Sequence, residues 1–526
     1  MNRRSSGKNA AIVGAGILSS RLIGFVRERL IAHYFGNTDA ADVLKTALKI
    51  PNLLQNLFGE AALSSSFIPV YAGLLASGDE KEAKRVARVV GSILTLAMSL
   101  LVLVGVMGAP YLRYAFAWGF EGAKLDFTIR IVQIMFPGMG ILVISAWCLG
   151  ILNSHRRFFL PYAASILWNA AMIGALIGFG RKMQPYPRAE VVAWGSVAGS
   201  LLQLGVQLPS VIRLAGRIRF QFEIASSNIR TVIRNFMPGM ASRGVNQLSG
   251  YIDLNLATLL PNAGAVATLA YAQNIYLLPV SLFGMSISNA ELPEMASQTG
   301  SGEAVAAALR DRLNEAMKRV AFFIIPSVAG FLALGDSIVA LLYQTGKFSK
   351  GDVPYVWAVL AGSTIGLLAS TLGRLYNSAF WALRDTRTPF RFASLRVAVT
   401  AALGWFLAFP VPRWLGLPPS LGLVGLTASA GMAAWLEFSL LRRTMNRRIG
   451  RTSLSFFYMA KLWSIAVVSA ALAFALKLCL KGMHPLISGF LVLPTYGAAY
   501  FAGAAALRIH IAMQLFQVVR KYLRKR

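Results

Sequence analysis

Charged side chains recur inside the first two long apolar segments of the sequence, residues 10–34 and 41–75. They are Arg21, Arg27 and Glu28 in the first segment and Asp42, Lys45, Lys49 and Glu60 in the second. An ionisable residue at membrane depth costs about 2.5–3.5 kcal/mol on insertion scales, and it persists mainly where it faces a watery cavity or another charge. These side chains therefore predict two membrane helices that line a polar cavity. Glu60 is a weaker candidate, because at a helix end it need only reach the interface.

The polar residues of two segments each fall on one helical face. Steps of three or four residues relate Asp42, Lys45, Lys49, Asn52 and Asn56, and also Ser242, Asn246, Ser249 and Asp253 in residues 231–259. The alternative is a packed bundle in which these residues only satisfy each other. Paired charges buried purely for structure seldom stabilise a protein. The stripe with three charges therefore favours a cavity, whereas a lone Ser or Asn would favour packing.

The first two predicted helices cannot both be straight if all of their charged residues are to face one cavity. Arg21 and Glu28 are seven residues apart and share a face, whereas Arg27 points elsewhere on a straight helix. Pro51 lies within the second segment, where it removes one backbone hydrogen bond and predicts a kink. The elements that position the charges must therefore bend.

The composition identifies the class of protein. Of the 526 residues, 56% are hydrophobic and 14% are charged, whereas soluble domains carry about 25% charged residues. Long apolar blocks recur along the whole chain, as a polytopic membrane protein requires. The sequence therefore predicts an all-α protein that crosses the membrane many times.

No group of residues has a catalytic or metal-binding spacing. The two cysteines lie in apolar runs and the four histidines are scattered, so neither a disulfide framework nor a metal centre is supported. There is no phosphate-cradling glycine motif and no extramembrane domain large enough for nucleotide binding. We therefore expect a transporter rather than an enzyme, with no cofactor, driven by an ion gradient or by the membrane potential.

Apolar blocks and loop charges predict the topology. The predicted spans are residues 10–34, 41–75, 87–108, 127–151, 158–180, 189–213, 231–259, 264–295, 319–343, 354–382, 388–410, 418–441, 459–480 and 485–507. Basic residues cluster in alternate loops, with Arg181, Lys182 and Arg188 as an exception, and this bias puts both termini in the cytoplasm. The net charge of +31 thus reflects topology and not a nucleic-acid partner. The basic tail, residues 508–526, is expected to contact anionic headgroups of the membrane lipids.

An internal repeat divides the spans into two sets of six. The stretch LFGEAALSSSFIPVYA from Leu57 resembles LFGMSISNAELPEMAS from Leu282, although one residue slips within the match. Pro69 and Pro293 are 224 residues apart, as are Asn153 and Asn377. Because six is even, the two sets have the same orientation. We expect two parallel six-helix lobes around a central cationic cavity, residues 1–228 and 229–452, followed by a helical pair and the basic tail in residues 453–526.

Motifs along nearly the whole chain resemble the MurJ (MviN) family of lipid II flippases. The carrying residues are Ser20-Arg21-x-x-Gly24-Phe25-x-Arg27-Glu28, Asp42, Lys49-Ile50-Pro51-Asn52, Gly59-Glu60-Ala61, Leu152-Asn153-Ser154, Tyr271-Ala272, Leu282-Phe283-Gly284 and Asp385-Thr386-Arg387-Thr388-Pro389. The resemblance implies the multidrug/oligosaccharidyl-lipid/polysaccharide exporter fold. It also implies alternating access that moves an undecaprenyl-pyrophosphate-linked peptidoglycan precursor from the cytoplasmic to the periplasmic leaflet of the bacterial inner membrane, for cell-wall synthesis.

The resemblance also assigns roles to single residues. Arg21, Arg27 and Asp42 match residues that the family needs in its cavity, where cations are thought to hold the pyrophosphate. Asp253 resembles an acidic residue that binds sodium in some members, and the final helical pair would form a groove for the lipid tail. A monomer that contacts membrane lipids, and in some settings proteins of cell-wall synthesis, is the expected state.

Several positions depart from the family pattern. Typical members have two arginines where this chain has Gln55 and Asn56, and an arginine in the eighth helix where it has Asn274. Lys45 is an unusual extra cation, and our hypothesis is that it partly replaces the missing arginines, as a point charge rather than a bidentate fork. The predicted cavity set is Arg21, Arg27, Asp42, Lys45, Lys49, Asn52, Asn56 and Asn274, with Asp253 as an ion site.

The departures leave other functions open. A flippase for another undecaprenyl-linked oligosaccharide would keep the fold and change the cargo. A cation-coupled drug antiporter of the same superfamily would need a more acidic cavity than this one. A non-transporting membrane scaffold would tolerate any cavity substitution.

Overall fold

The computed structural model describes residues 3–157, 159–216, 220–221, 226–297 and 303–523. Part of the basic tail, residues 524–526, and part of one basic loop, residues 217–219, therefore lie outside the described residues. Those residues that are described form helices and turns, with a single isolated β-bridge between Thr345 and Phe348. The prediction of an all-α protein is confirmed.

Contacts within the chain define two compact units. Unit 1 comprises the described residues up to Leu259 together with Thr345–Phe348, and unit 2 comprises Leu260–Gln344 and the described residues from Ser349 onwards. The seventh predicted span therefore packs with the first six. The lobes predicted from the repeat, with a boundary between residues 228 and 229, stay a prediction.

Unit 1 contains nine α-helices, one π-helical segment and one short 3₁₀ turn among its described residues. They are α1 (Arg3–Phe35), α2 (Asp39–Leu54), the first π segment (Gln55–Ala61), α3 (Ala62–Ala76), α4 (Glu80–Gly108), the 3₁₀ turn (Ala109–Leu112), α5 (Arg113–Phe116), α6 (Gly122–Ser154), α7 (Phe159–Gly178), α8 (Pro185–Ala215) and α9 (Ser227–Thr258). The core of this unit lies where α6 packs against α2, α4 and α8.

Unit 2 repeats the pattern of a helix interrupted by a π segment. Its described elements are α10 (Ala265–Pro279), the second π segment (Val280–Met285), α11 (Ser286–Ala296), α12 (Glu303–Tyr343), α13 (Asp352–Thr364), α14 (Leu367–Ala382), α15 (Arg387–Ala408), α16 (Pro410–Trp414), a 3₁₀ turn (Pro419–Leu421), α17 (Gly422–Ile449), α18 (Phe456–Cys479), α19 (Pro485–Ala506) and α20 (His510–Leu523). The helical pair α18 and α19 packs on α12.

Ten helices in the described part of the chain are long and apolar enough to cross a membrane. The bent pair α13 and α14, with an angle of 42° between its halves, makes an eleventh if it forms one span. The predicted spans 10–34, 41–75 and 231–259 are not among these ten or eleven, and they are the spans that carry the ionisable stripes. The protein is thus a multi-pass membrane protein, while the count of fourteen spans stays a prediction.

The two π segments occupy the same place in the repeat. Each contains the Leu-Phe-Gly motif, and the first is seven residues long whereas the second is six. The difference of one residue in length matches the one-residue slip in the repeat. A Cβ atom on Gly59 would lie 2.9 Å from the Ala146 Cβ, and one on Gly284 would collide with Thr371. Both glycines therefore allow close helix packing.

The turn between α1 and α2 is held by backbone contacts. Gly36 has a φ of +63°, and a Cβ there would lie 2.7 Å from the Lys347 carbonyl oxygen. The Lys347 N–H donates to the His33 carbonyl at 2.8 Å, and the His33 Nδ1 lies 2.8 Å from the Thr345 hydroxyl. We call residues 345–348 the clip, because they pack with unit 1 although α12 and α13 on either side belong to unit 2.

Arg188, in the first turn of α8, binds the end of α1. Its Nη1 donates to the Tyr34 carbonyl at 2.6 Å, its Nε to Gly180 at 2.8 Å and its Nη2 to Met183 at 2.6 Å. The last carbonyls of a helix have no intrahelical partner, and Arg188 supplies one for α1. Its charge is thus engaged within the fold, although it interrupts the alternation of loop charges.

Asp385 joins α15 to α17 outside the apolar spans. It accepts the backbone N–H of Arg387 and of Thr388, both at 3.0 Å, and the Arg448 guanidinium at 2.6 Å. Desolvation would raise the pKa of Asp385, but the hydrogen bonds from Thr388 and Arg448 outweigh it and lower the pKa to about 2. The aspartate of the Asp-Thr-Arg-Thr-Pro motif therefore stays ionised at neutral pH.

Substitution of Arg188 by Gln should lower the stability of unit 1. The change removes at least two charge-assisted hydrogen bonds and leaves buried carbonyls without a donor, which we expect to cost about 2–4 kcal/mol. Thermal unfolding in detergent measures this as a lower midpoint. Arg181→Gln is the matched control, because that side chain is exposed, and equal midpoints for the two variants would show that the cap is dispensable.

Candidate functional site

Three charged side chains of α1 and α2 form one cluster in unit 1. Glu28 accepts Arg27 Nη2 at 2.8 Å and also binds the Lys45 ammonium. Glu28 and Lys45 are 8% and 6% exposed, so both charges are almost fully removed from solvent. Two cations share one carboxylate, and the cluster carries a net charge of +1.

Arg27 is held on its other side by α7. Its guanidinium lies 5.1 Å from the centroid of the Trp168 ring, and its Nη1 lies 4.0 Å from the Met172 sulfur. An arginine stacked on an aromatic face keeps its hydrogen-bonding edge free to point away from the ring. The Arg27 Nε is buried and has no hydrogen-bond partner among the described residues. This nitrogen can therefore donate to an anion.

Lys124 is a partner of the α2 stripe that sequence reasoning missed. Its ammonium, in the first turn of α6, lies 2.6 Å from Asp39 and 2.7 Å from Asp42. Asp42 is 1% exposed, so the ion pair neutralises a buried carboxylate. Asp42 thus pairs with Lys124, and Lys45 one turn later pairs with Glu28. The sequence did contain a signal for this contact: Lys124 and the two aspartates lie near the starts of two spans that are predicted to enter the membrane from the same side.

Tyr251 of α9 contacts the backbone of α2 near its C-terminal end. The tyrosine hydroxyl donates to the Lys49 carbonyl at 2.5 Å and also interacts with the Leu53 N–H. Those two backbone groups are four residues apart in the last turns of α2, which ends at Leu54. The contact therefore lies beside the predicted kink at Pro51 and just before the first π segment.

The remaining predicted site residues are dispersed. Lys49 is electrostatically attracted to Asp253 of α9, which relates one member of each stripe. Arg21 and Asn52 are exposed and Asn56 is half-buried. Asn274 is half-buried on α10 of unit 2, and the side chains of Pro51 and Glu60 lie outside the described residues. The predicted cavity set as a whole stays a prediction.

Metal-ligating groups are sparse in the part of the chain that the structure describes. No group of three or more His, Cys, Asp and Glu side chains there could hold a metal ion. A sodium ion at Asp253 would have to compete with the nearby Lys49 ammonium for the carboxylate. Any such site is therefore coupled to the position of Lys49.

Comparison with known families gives one consistent result. The family model described as lipid II flippase MurJ matches residues 31–501. A probable lipid II flippase MurJ from Rhizobium meliloti (strain 1021) is 30% identical over 517 residues, covering 96% of this chain and 93% of the relative. Another, from Rhizobium tropici, is 32% identical over 447 residues, covering 84% of this chain and 81% of the relative.

Solved structures share the fold. A lipid II flippase MurJ in an inward closed conformation has a TM-score of 0.77 at 20% identity, covering 95% of this chain and 99% of that one. An inward-facing MATE family transporter of the MOP superfamily has a TM-score of 0.66 at 15% identity, covering 82% and 94%. At these identities the likeness concerns the fold alone, and it confirms the exporter fold predicted from the motifs.

Removing the shared carboxylate should destabilise the cluster more than removing one cation. Glu28→Gln leaves Lys45 buried without a counter-ion, which we expect to cost about 3–5 kcal/mol. The double variant Glu28→Gln, Lys45→Met should recover most of that loss. Equilibrium unfolding in mixed detergent measures both changes.

The control for this cycle is an exposed ion pair in the same unit. Glu80→Gln removes the partner of Lys84, and because the Glu80 side chain is 71% exposed, we expect a loss below about 1 kcal/mol. If Glu28→Gln were as mild as Glu80→Gln, the buried pairs would not be holding α1 against α2.

Proposed function

The chain belongs to the lipid II flippase MurJ family, and we propose that it moves lipid II from the cytoplasmic to the periplasmic leaflet of the bacterial inner membrane. The observation that carries this proposal is the Arg27–Glu28–Lys45 cluster with its net positive charge. A pyrophosphate that leaves water for a low-dielectric cavity needs compensating cations. The cluster supplies these cations within membrane helices, where charged residues are costly and rare.

Glu28 acts in this proposal as an internal counter-ion. With no substrate bound, it keeps Arg27 and Lys45 ionised and in place at a depth where lone cations would be costly. An arriving pyrophosphate competes with Glu28 for the two cations. Arg27, with its stacked guanidinium, is suited to bidentate contact, whereas Lys45 offers a point charge. Lys45 can replace a missing arginine only by leaving Glu28.

Movement of the substrate requires a change of access. We propose that fourteen spans form two like-oriented lobes, with both termini in the cytoplasm, and that a monomer suffices for transport. The clip supplies contacts with the α1–α2 turn that can open. The two π segments lie within helices that can bend. Contacts with proteins of cell-wall synthesis would add regulation and not chemistry.

Energy for directional transport must come from outside the chain. We propose the membrane potential, or Na⁺ bound at Asp253, as the source. Since Lys49 is attracted to the Asp253 carboxylate, sodium binding would release Lys49 and so change the charge along α2. This coupling would link ion binding to the conformation of the bent helix.

A second cargo is favoured by one specific feature. Gln55, Asn56 and Asn274 are uncharged at positions where the family pattern has arginines. A flippase for another undecaprenyl-linked oligosaccharide would explain this loss of cationic contacts. Nothing comparable favours a drug antiporter, because the buried cluster is cationic.

Complementation distinguishes the cargoes. The protein should restore growth and lipid II translocation in cells depleted of their own lipid II flippase, and the Arg27→Ala and Asp42→Ala variants should fail at equal expression. Both substitutions remove a charge that we place in the cavity. Rescue by both variants would refute that placement, and failure of the well-expressed parent protein would favour the other glycan.

Chemical cross-linking tests the role of the clip. In a variant whose native Cys148 and Cys479 are replaced, His33→Cys and Thr345→Cys should be joined by a short bifunctional thiol reagent. We expect this link to stop lipid II translocation in vesicles, and cleavage of the reagent to restore it. A control pair, Tyr71→Cys with His155→Cys, links the equally close side chains of α3 and the α6–α7 turn. Full transport through a linked clip would show that the clip need not open.

A further inference from the structure

The last helix of the chain, α20, separates polar from apolar residues more sharply than the spans α18 and α19 beside it. Successive residues of a helix are about 100° apart around its axis, which sorts α20 into two sides. The polar side carries His510, Gln514, Gln517 and Lys521, and the apolar side carries Ile511, Leu515, Val518 and Tyr522. Met513 and Arg520 lie at the boundary between the two sides. Such a helix places water and apolar surroundings on opposite faces.

The apolar side of α20 is only partly covered by protein. Ile509 and Ala512 are 5% and 0% exposed, and α20 packs with α19. Leu515 is 38% exposed, although it lies near the middle of the apolar side. Contact with water is unfavourable for an apolar face of this kind. Something other than water must therefore cover the side of α20 that Leu515 marks.

A defined turn separates α20 from the span α19. The two helices are three residues apart, and the N–H groups of Arg508 and Ile509 donate to the carbonyls of Ala505 and Ala504, both at 2.9 Å. Arg508 has a φ of +53°, and a left-handed residue with these bonds ends a helix. The 14 residues of α20 are fewer than the roughly 20 that a span needs. α20 is thus a separate helix that begins where α19 ends.

Two exposed phenylalanines lie at the same end of the α18–α19 hairpin as α20. The two spans pack together, they are 24 and 22 residues long, and only residues 480–484 join them. The start of α18 is therefore level with the end of α19. Phe456 and Phe457, the first residues of α18, are 80% and 77% exposed. Large exposed apolar side chains beside a span indicate contact with the membrane, so this edge of unit 2 meets lipid at the level where α20 begins.

This end of the chain is uniformly positive. Glu437 is the last acidic residue of the sequence, so every charged side chain in residues 438–526 is basic. The helix α20 and its flanking residues contribute Arg508, Arg520, Lys521, Arg524, Lys525 and Arg526. Basic residues next to a membrane are attracted to anionic headgroups within about one Debye length. Charge complementarity thus favours an anionic lipid surface as the cover of α20.

We propose that α20 is an interfacial helix that inserts its apolar side among the acyl chains of anionic phospholipid, in the leaflet where α19 ends. Its polar side lies among the headgroups. Headgroup contact by the basic tail follows from the sequence alone, whereas the open side at Leu515 adds insertion and a defined orientation. Buried apolar area and electrostatic attraction both stabilise a helix bound in this way. The inference holds whichever cargo the protein moves.

Lipid quenching with the full-length protein in nanodiscs tests the insertion. Native Cys148 and Cys479 are first replaced. Leu515→Cys and, separately, Gln517→Cys then carry an environment-sensitive fluorophore, both at exposed positions. The nanodiscs contain equal amounts of phosphatidylglycerol and phosphatidylcholine with brominated acyl chains. We expect bromine to quench the probe at position 515 at least twofold and to leave the probe at position 517 nearly unchanged, because the two positions lie on opposite sides of α20.

The probe at position 515 also tests the preference for anionic lipid. Its quenching should fall to the level of position 517 in nanodiscs of phosphatidylcholine alone. The double variant Arg520→Gln, Lys521→Gln should need at least twice the phosphatidylglycerol fraction for half-maximal quenching, because it removes two cations. Lys481→Gln is the matched control: it removes an exposed cation from the turn at the other end of α18 and should behave as the parent protein does.

Three results would contradict the proposal. Equal quenching at the two positions would show that α20 does not insert one side. A probe at position 515 that is shielded from water but not quenched by bromine would mean that a protein, such as a second copy of this chain, covers the helix. Equal quenching in neutral and anionic nanodiscs would remove the preference for anionic lipid. None of these measurements involves transport, so their outcome is independent of the flippase assignment.

Discussion

The cost of a charge at membrane depth is the constraint on which this structure depends. Each ionisable residue in the apolar spans needs a counter-ion, a backbone partner or water, because hydrocarbon offers none of these. Glu28 meets the need for Arg27 and Lys45, Lys124 meets it for Asp42, and carbonyl oxygens meet it for Arg188. The helix turn that joins α1 to α2 is therefore fixed at several points by charge. A substrate anion that draws one cation away must disturb the others.

The internal repeat is expressed in backbone geometry as well as in sequence. Both copies of the Leu-Phe-Gly motif form π segments, and both glycines admit a neighbouring helix at close range. A π turn interrupts the regular hydrogen-bond ladder, so each repeat has a weak point at the same place. Just before the first copy, the Tyr251 hydroxyl contacts the Lys49 carbonyl of α2. The polar stripe thus ends within irregular backbone, at Asn56 of the first π segment.

Periodicity and loop charge predict the helices well because both follow from the bilayer. Each of the fourteen predicted spans coincides with a helix or a run of helices, and the slip in the repeat marks the π segments. The partners of the charged side chains were harder to predict from the sequence. Asp42 and Lys45 are three residues apart and suggest a pair, yet Lys124 and Glu28 compete for them from other helices. Arg396 and Glu437 form an ion pair between α15 and α17, so no local spacing connects them.

The charge balance of the Arg27–Glu28–Lys45 cluster is the basis on which the proposed flippase would hold an anion with fewer cationic positions. In this cluster two cations share one carboxylate, so one positive charge is left without a full counter-ion. The carboxylate prevents the cations from repelling each other in the empty protein, and it leaves room for one further anion. Additional arginines would raise the affinity for a diphosphate, but they would also slow its release. A transporter must release its cargo in every cycle, and in the proposed mechanism Glu28 takes back Arg27 and Lys45 when the anion leaves.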